Sequence, residues 1–304
     1  MEIIRQTKTT PELISFYKQQ LDKYPEFLRS LIFQDIKKFS SNLSFLMTQP
    51  ELEGLLVYRY RQLRSTSMVS IENLIYTKPD IISDLLNEVI TISKNKRGII
   101  TELIPRDRNL IPIWNDFKFK KTLNWFGTPT TKLINKFSPS SSIELIRYTK
   151  QTHHAFKGIF TKFLTAHDEF NNRSFNTASD HKIYPVRLNN RVHQIKLSYF
   201  IERMIKDPNW FTYIIMDEGN PDGSPIGFIK GLRVRSNNSL FINFYLPDKY
   251  KQYTGECFYK FCRYVNRNKV SNIGMIVSEA DKNGMSTISK WFGDPLGSQY
   301  IRFT

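Results

Sequence analysis

The segment 240–290 constrains the fold more than any other part of the chain, because it predicts a strand, a turn, a helix, a strand and a helix in that order. Residues 240–246 are rich in aromatic and β-branched side chains and predict a buried strand, which Pro247 and Asp248 end. An amphipathic helix is expected from about residue 252 to 268, followed by a second strand over 270–277. Asp281 then precedes a short helix that ends at Gly293.

The turn at residues 252–257 connects the first strand to the helix and contains Gly255. Backbone N–H groups at the start of a helix have no intrahelical partner, and together with the helix dipole they form a cradle that suits a pyrophosphate. Glycine at this point lets the backbone come close to a ligand. Glu256 lies at the helix start, where a carboxylate suits the dipole, and we prefer that role for it to a catalytic one.

This order of elements resembles the GNAT superfamily of N-acetyltransferases. Members carry Arg/Gln-x-x-Gly-x-Gly/Ala after their fourth strand, and Gln252-x-x-Gly255-x-Cys257 is similar. They also carry an Asn after the fifth strand that begins a helix ending in Gly-Phe, which Asn283 and Trp291-Phe292-Gly293 resemble. Cys257 departs from the family pattern, because Gly or Ala is usual there.

The resemblance implies that acetyl-coenzyme A, or another acyl-coenzyme A, binds with its pyrophosphate on the turn and its pantetheine between two splayed parallel strands. Lys249, Lys251 and Gln252 would flank the phosphates. The residues expected to contact the coenzyme are Leu246, Lys251, Gln252, Tyr253, Thr254, Gly255, Glu256, Cys257 and Asn283.

The implied reaction is direct attack of an acceptor amine on the thioester carbonyl, polarised by a backbone N–H of the strand 240–246. Asn243 is expected to orient the reacting groups, and Tyr245 is a candidate acid toward the leaving thiolate. The family's usual carboxylate is missing from 240–246, and Ser289 or Lys290 lies near the place of its usual Tyr.

A tandem duplication is indicated by the recurrence of the same order of elements at an offset of about 170 residues. Strands are predicted at 43–47, 55–61 and 67–76, then a helix at 79–93 and a strand at 99–104; the second half repeats this series from Phe211. We therefore expect an α/β (α+β) chain with two GNAT-like domains, residues 1–137 and 138–304. Each domain would have a mixed, mostly antiparallel sheet flanked by helices.

The first copy is expected to be degenerate, because its turn reads Tyr76-Thr-Lys-Pro79. It contains no glycine, and Pro79 removes a backbone donor, so it should bind a pyrophosphate poorly. Helices are predicted over 11–39, 146–166 and 187–207. The length of the polar, irregular stretch 167–185 predicts a substrate-side loop. In the GNAT superfamily the first-helix region and its following loop close over the acceptor, so the resemblance implies acceptor recognition at 165–190 or in the groove between the two copies.

The formal net charge of +16 favours an anionic partner. One alternative is therefore a non-catalytic basic module of the same fold that binds nucleic acid or an acidic protein. Another is acyl or aminoacyl transfer onto a nucleic-acid-linked substrate. The sequence does not identify the acceptor amine or the oligomeric state.

Metal, disulfide and membrane chemistry are not predicted. Cys257 and Cys262 point to different faces of one helix, and the adjacent His153 and His154 cannot converge on one metal ion. The chain contains no apolar run of the length that spans a bilayer, and its first residues contain no signal-peptide core. A reducing cytoplasm is the expected compartment.

Overall fold

The chain folds into two compact units, described here from a computed structural model. Of the described residues, the first unit contains 2–124 and 296–303, and the second contains 125–159 and 209–295. The sequence predicts domains 1–137 and 138–304 from the internal repeat, and this division stays a prediction. The compact units have different bounds, because the last residues of the chain belong to the first unit. The structure describes residues 2–21, 43–63, 66–102, 104–105, 107, 109–137, 142–149, 151–152, 157–159, 209–219, 223–234 and 238–303.

The first unit is built on a mostly antiparallel sheet in which the strands follow the order β1-β2-β3-β4-β5-β13. Its one parallel pair in the described part of the unit joins β4 to β5, and the chain's last strand, β13, pairs antiparallel with β5. The elements are β1 (Glu2–Gln6), α1 (Pro11–Leu21), β2 (Ser44–Gln49), β3 (Gly54–Leu63), β4 (Thr66–Tyr76), α2 (Asp80–Ile92), β5 (Gly98–Thr101), β6 (Ile104–Pro105), α3 (Leu110–Asp116) and β13 (Gly297–Phe303).

The second unit repeats this plan with the strand order β12-β11-β10-β9-β8. Strands β11 and β12 are parallel, and the other neighbours pair antiparallel. Strand β7 (Lys120–Pro129) begins in the first unit and ends in the second. The remaining elements are α4 (Thr130–Lys136), β8 (Ile143–Arg147), β9 (Trp210–Asp217), β10 (Pro225–Val234), β11 (Ser239–Tyr245), a 3₁₀ helix (Asp248–Tyr253), α5 (Thr254–Arg267), β12 (Asn272–Ser278) and α6 (Lys282–Phe292).

Each unit packs an amphipathic helix against one face of its sheet. In the second unit, Phe258, Phe261 and Val265 of α5 are fully buried against apolar residues of the central strands, including Leu240 and Ile242. Helix α2 does the same in the first unit with its apolar stripe. The helical period of the apolar residues thus determines which side of each sheet is covered. Among the described helices, none has the length and apolar character needed to cross a membrane.

The predicted fold class and the tandem repeat are confirmed. Both units contain an antiparallel hairpin, a third antiparallel strand, a helix and a strand parallel to the third, in that order. The predicted elements of segment 240–290 also agree with the structure, including the end of α6 at Gly293, which has a φ of 89°. Glycine suits a helix end because left-handed backbone costs it little.

Strands β1, β7, β8 and β13 were not predicted, and β1 and β8 lie at the two ends of the strand order. Residues 143–147 form strand β8, although the sequence predicted a helix from residue 146. Strands β7 and β13 were also missed, and Trp125-Phe126-Gly127 lies in β7 rather than at a helix end. Of the helix predicted over 11–39, residues 11–21 are described and helical. The loop at 167–185 and the helix at 187–207 lie outside the described residues.

Candidate functional site

A cleft opens in the second unit where two parallel strands separate. Strands β11 and β12 pair at Ser239↔Asn272, Leu240↔Ile273 and Phe241↔Gly274, and their pairing ends there. Beyond this point lies a cleft of about 440 Å³. Residues 243–248 form one wall, residues 275–278 form the other, and Lys251, Thr254 and the first turns of α6 close its end. Separating strands turn backbone N–H and C=O groups toward the space between them, where a ligand can use them.

Asn243, one of the two predicted catalytic residues, lies half-buried in this wall. In the sheet register Asn243 is opposite Lys230 of β10, and Lys230 is opposite Thr212 of β9. Residues that are directly opposite in a sheet carry their side chains on the same face. A row of three polar side chains therefore crosses three strands and ends at the cleft.

Lys230 is a functional candidate that the sequence analysis missed. It is 3% exposed, and its Nζ lies 5.3 Å from the centre of the Trp210 ring. Burial disfavours the charged amine and lowers the pKa of Lys230 to about 8. The signal was a lysine that follows the apolar run 226–229 in strand β10, but the sequence alone does not show on which face of the sheet it is buried.

Tyr245, the second predicted catalytic residue, also lines the cleft. Its ring centre lies 6.1 Å from that of Phe228, in a tilted contact. Burial, and then the negative charge of Asp248, raise the pKa of Tyr245. A phenol is protonated at neutral pH even without this shift, so Tyr245 has a proton to donate.

The turn into α5 is more regular than the sequence predicted. A 3₁₀ helix runs directly into α5, and the N–H of Thr254 donates to the carbonyl oxygen of Lys251. Leu246, Lys251, Thr254 and Asn283 line the cleft. The other predicted coenzyme contacts lie outside its lining; they are Gln252, Tyr253, Gly255, Glu256 and Cys257.

Gly255 has a packing role that is visible in its surroundings. A Cβ atom at this position would lie 2.3 Å from Cη2 of Trp291 and 2.9 Å from Cδ2 of Phe137. Both distances are shorter than ordinary van der Waals contact. The glycine therefore allows the aromatic side chains that end α6 and follow α4 to pack directly against the first turn of α5.

Glu256 and Cys257 hold α5 within the second unit. The Glu256 side chain is 1% exposed, pairs with Lys260 Nζ at 2.9 Å and accepts from the N–H of Ile143 at 3.4 Å. Lys260 also donates to the carbonyl oxygen of Ile143, so this ion pair joins α5 to the edge strand β8. Cys257 is fully buried, and burial raises the pKa of its thiol, which therefore stays protonated.

The charges near the cleft are of both signs. Lys251 Nζ lies 2.8 Å from Asp248 Oδ1. Asp281 caps α6, because its Oδ1 accepts from the N–H of Gly284 at 2.8 Å. Nearby, Lys249 Nζ lies 4.6 Å from the centre of the Tyr250 ring. Among the described residues, no group of three or more His, Cys, Asp and Glu side chains is arranged to hold a metal ion.

Comparison with solved structures identifies the fold. A GCN5-related N-acetyltransferase from Sphaerobacter thermophilus aligns over 99% of this chain and 95% of its own, with a TM-score of 0.54 and 10% identity. A tandem GNAT protein from the clavulanic acid biosynthesis pathway aligns over 99% and 98%, with a TM-score of 0.53 and 8% identity. An acetyltransferase of the GNAT family from Colwellia psychrerythraea aligns over the whole of both chains, with a TM-score of 0.50 and 9% identity.

The fold is therefore the tandem GNAT fold. At 8–10% identity these likenesses concern the fold alone. No protein-family model matches the sequence, and no curated protein matches it.

The packing role of Gly255 predicts a double-mutant cycle. Gly255→Ala should destabilise the second unit by about 1–3 kcal/mol, because overpacking exceeds the gain in helix propensity of up to about 1 kcal/mol. The cost should fall by at least about 1 kcal/mol in a Trp291→Ala background. Urea unfolding measures all four variants. Gly219→Ala is the control, since a Cβ there meets nothing closer than 3.4 Å. Equal costs in both backgrounds would contradict the proposed contact.

Burial of Lys230 predicts a pH-dependent stability. The pKa is about 8 in the folded chain against 10.5 for the ordinary side chain, so the unfolded chain binds the extra proton between these values. The free energy of unfolding should therefore rise with pH between about 8 and 10.5. Equivalently, stability is lost as the pH falls through this window toward the folded-state pKa of about 8. Lys230→Met should therefore be more stable than the wild type at pH 7 by on the order of 2 kcal/mol, and this difference should shrink by pH 10.5.

Thermal unfolding at several pH values measures this difference. The exposed Lys290 supplies the control, since Lys290→Met should change stability by less than about 0.5 kcal/mol. A Lys230→Met difference that is constant from pH 7 to 10.5 would show that the buried amine does not titrate as inferred.

Proposed function

We propose that the second unit binds an acyl-coenzyme A in the cleft between β11 and β12 and transfers the acyl group to an amine. The observation that carries this proposal is the separation of the two parallel strands after Phe241 and Gly274. It supplies a cleft with both backbone polar groups and apolar side chains, among them Met275, Ile276 and Val277. A pantetheine arm contains amide groups and methylene groups, and this mixed lining suits both.

The end of the cleft beside the 3₁₀ helix would bind the phosphates, and it suits the coenzyme less well than the rest of the cleft does. Lys249 and Lys251 provide positive charge near the 3₁₀ helix, but Lys251 is already paired with Asp248. The hydroxyl of Thr254 is buried without a hydrogen-bond partner among the described residues, and Thr254 lines the cleft. An anion at this end would give that hydroxyl an acceptor and compete for Lys251.

The residues of this chain have separate roles in the proposed reaction. The coenzyme supplies an activated acyl thioester. Backbone N–H groups of β11 polarise its carbonyl, and the Asn243 side chain orients the attacking amine. The Tyr245 phenol, which is protonated at neutral pH, donates to the leaving sulfur, and water accepts the proton of the amine. Asn283, exposed at the start of α6, contacts the coenzyme at the mouth of the cleft.

Calorimetric titration with acetyl-coenzyme A tests this function. The wild type should bind in the micromolar range, and Ile276→Trp, which fills the cleft, should weaken binding at least about tenfold. Ile276 is 39% exposed, and Ile111 of α3 is 44% exposed, so Ile111→Trp is a matched control that should bind like the wild type. Failure of the wild type to bind at millimolar ligand would overturn the proposal.

A second candidate function is binding of single-stranded nucleic acid by the first unit. We define its basic-aromatic patch as Arg5, Tyr60 and Lys96. Tyr60 is 48% exposed, Lys96 Nζ lies 5.0 Å from its ring centre, and Arg5 donates to its hydroxyl at 3.4 Å. Cations beside an exposed ring, on a chain of net charge +16, suit a phosphate backbone and a stacked base.

Gel retardation of a single-stranded RNA oligonucleotide separates the two functions. If the second candidate holds, the wild type should retard the RNA at low salt and lose affinity as salt rises, because phosphate contacts release counterions. Tyr60→Ala should weaken binding by about 1–3 kcal/mol, and Ile111→Ala should leave it unchanged. No retardation at low salt would exclude this candidate.

A further inference from the structure

Two of the three charged residues in the described lining of the cleft are acidic. The three are Asp248, Lys251 and Asp281. Lys251 Nζ lies 2.8 Å from Asp248 Oδ1, and Asp281 Oδ1 accepts from the N–H of Gly284 at 2.8 Å. One ammonium group among two carboxylates makes this lining negative overall, so its charge opposes the approach of phosphate groups.

The backbone N–H groups at the start of α5 are partly used by the chain itself. The 3₁₀ helix precedes α5 without a break, and Tyr253 at the junction has right-handed helical backbone, with φ −83° and ψ −3°. The N–H of Thr254 donates to the carbonyl oxygen of Lys251, and the N–H of Tyr250 donates to that of Pro247 at 2.9 Å. A free helix start would offer such donors to a phosphate, but here the preceding turn takes them.

The first turn of the 3₁₀ helix contains a carboxylate of the chain, that of Asp248. A phosphate bound to the first N–H groups of this helix would lie beside that carboxylate, and like charges repel. Lys249 is exposed and lies over the Tyr250 ring, so solvent and salt screen its charge. At the other end of the turn, Trp291 covers Gly255. This turn therefore offers a pyrophosphate a poor cradle.

The rest of the lining suits an uncharged chain with amide groups. Met275, Ile276 and Val277 supply apolar contacts along one wall. Thr254, which also lines the cleft, is 2% exposed, and its hydroxyl has no hydrogen-bond partner among the described residues. A hydroxyl donates to a neutral carbonyl oxygen as readily as its geometry allows, and it needs no negative charge on its partner. The pantetheine arm is uncharged and contains amide carbonyls, so it matches this lining better than the phosphates do.

We propose that the cleft selects its donor by the pantetheine arm and not by the phosphates, so that its substrates are the acyl thioesters of pantetheine as a class. The hydroxyl of Thr254 donates to an amide carbonyl of the arm, the apolar wall packs against its methylene groups, and the phosphate end lies in solvent. This inference rests on the acyl-transfer function proposed above and specifies which part of the donor is recognised.

Calorimetric titration of the full chain with S-acetylpantetheine and with acetyl-coenzyme A tests this inference. The two ligands share the thioester and the arm, but only the second carries phosphates and a nucleotide. Their dissociation constants should agree within about threefold. Thr254→Val removes the hydroxyl at nearly constant shape, and it should weaken the binding of both ligands by about threefold to tenfold, which is the effect of one hydrogen bond. Thr254→Ser, which keeps the hydroxyl, is the matched control.

Two results would overturn this inference and leave the acyl-transfer function standing. One is binding of acetyl-coenzyme A more than about tenfold tighter than that of S-acetylpantetheine. The other is a loss in Thr254→Val that is confined to acetyl-coenzyme A, which would place the hydroxyl at the phosphates. If Thr254→Val does not fold, as judged by thermal unfolding, the two ligands on the wild type decide. Binding of neither ligand by the folded wild type at millimolar concentration would overturn the proposed function and this inference together.

Discussion

The short parallel pairing at the centre of each unit is the constraint on which the rest of the structure depends. In the second unit β11 and β12 pair over three residues, from Ser239 to Phe241 on one side, and in the first unit β4 and β5 also pair over three, from Val69 to Ile71. A parallel connection needs a crossover helix, and α5 and α2 provide it on the apolar face of each sheet. Because the pairing ends early in the second unit, the chain gains a cleft there without disturbing the core under α5.

The two units share the same order of strands and helices but carry different polar residues at equivalent positions. Strand β11 pairs with β10 without a shift in register and carries an amide, Asn243, at the cleft, whereas β4 bulges at Glu72 and carries a buried carboxylate. The turn after β4 ends in Pro79, which supplies no N–H to a ligand, and the corresponding turn after β11 continues as a helix through Thr254. These differences indicate that the first unit is not merely a weakened copy, because its buried polar groups are distinct from those of the second.

Local sequence patterns predicted the elements that have local causes. Helix α5, with its helical period of apolar residues, and the apolar strand β11 were correctly predicted, and so were the matching elements of the first unit. Strands β7, β8 and β13 could not be predicted in the same way, since a strand is stabilised by partners that are distant in sequence. Residues 143–147 show the difficulty, because Ile143 is buried against residues of β9, β10 and α5 that no local pattern identifies.

The sequence also predicted part of the lining of the cleft but not the buried charged residues. Asn243, Tyr245, Leu246, Lys251, Thr254 and Asn283 line the cleft, and all were chosen from the sequence. Lys230 and Glu72 were not chosen, because a charged residue within a strand gives no sign of whether it faces solvent or the interior. Their chemistry follows from burial, which lowers the pKa of the amine and raises that of the carboxyl group.

Gly255 shows why the cleft supports the proposed function better than the sequence motif does. The sequence predicts that a phosphate approaches the backbone at this glycine, but the group that approaches it in the structure is the indole ring of Trp291. A glycine can thus be required at this turn for packing even where no ligand binds. The separation of β11 and β12 does not leave α5 unpacked, because Phe244, Met275 and Val277 of the separated part belong to the same apolar cluster as the buried side chains of α5. The open strands therefore carry the argument for a ligand, and the glycine explains how α6 is held beside them.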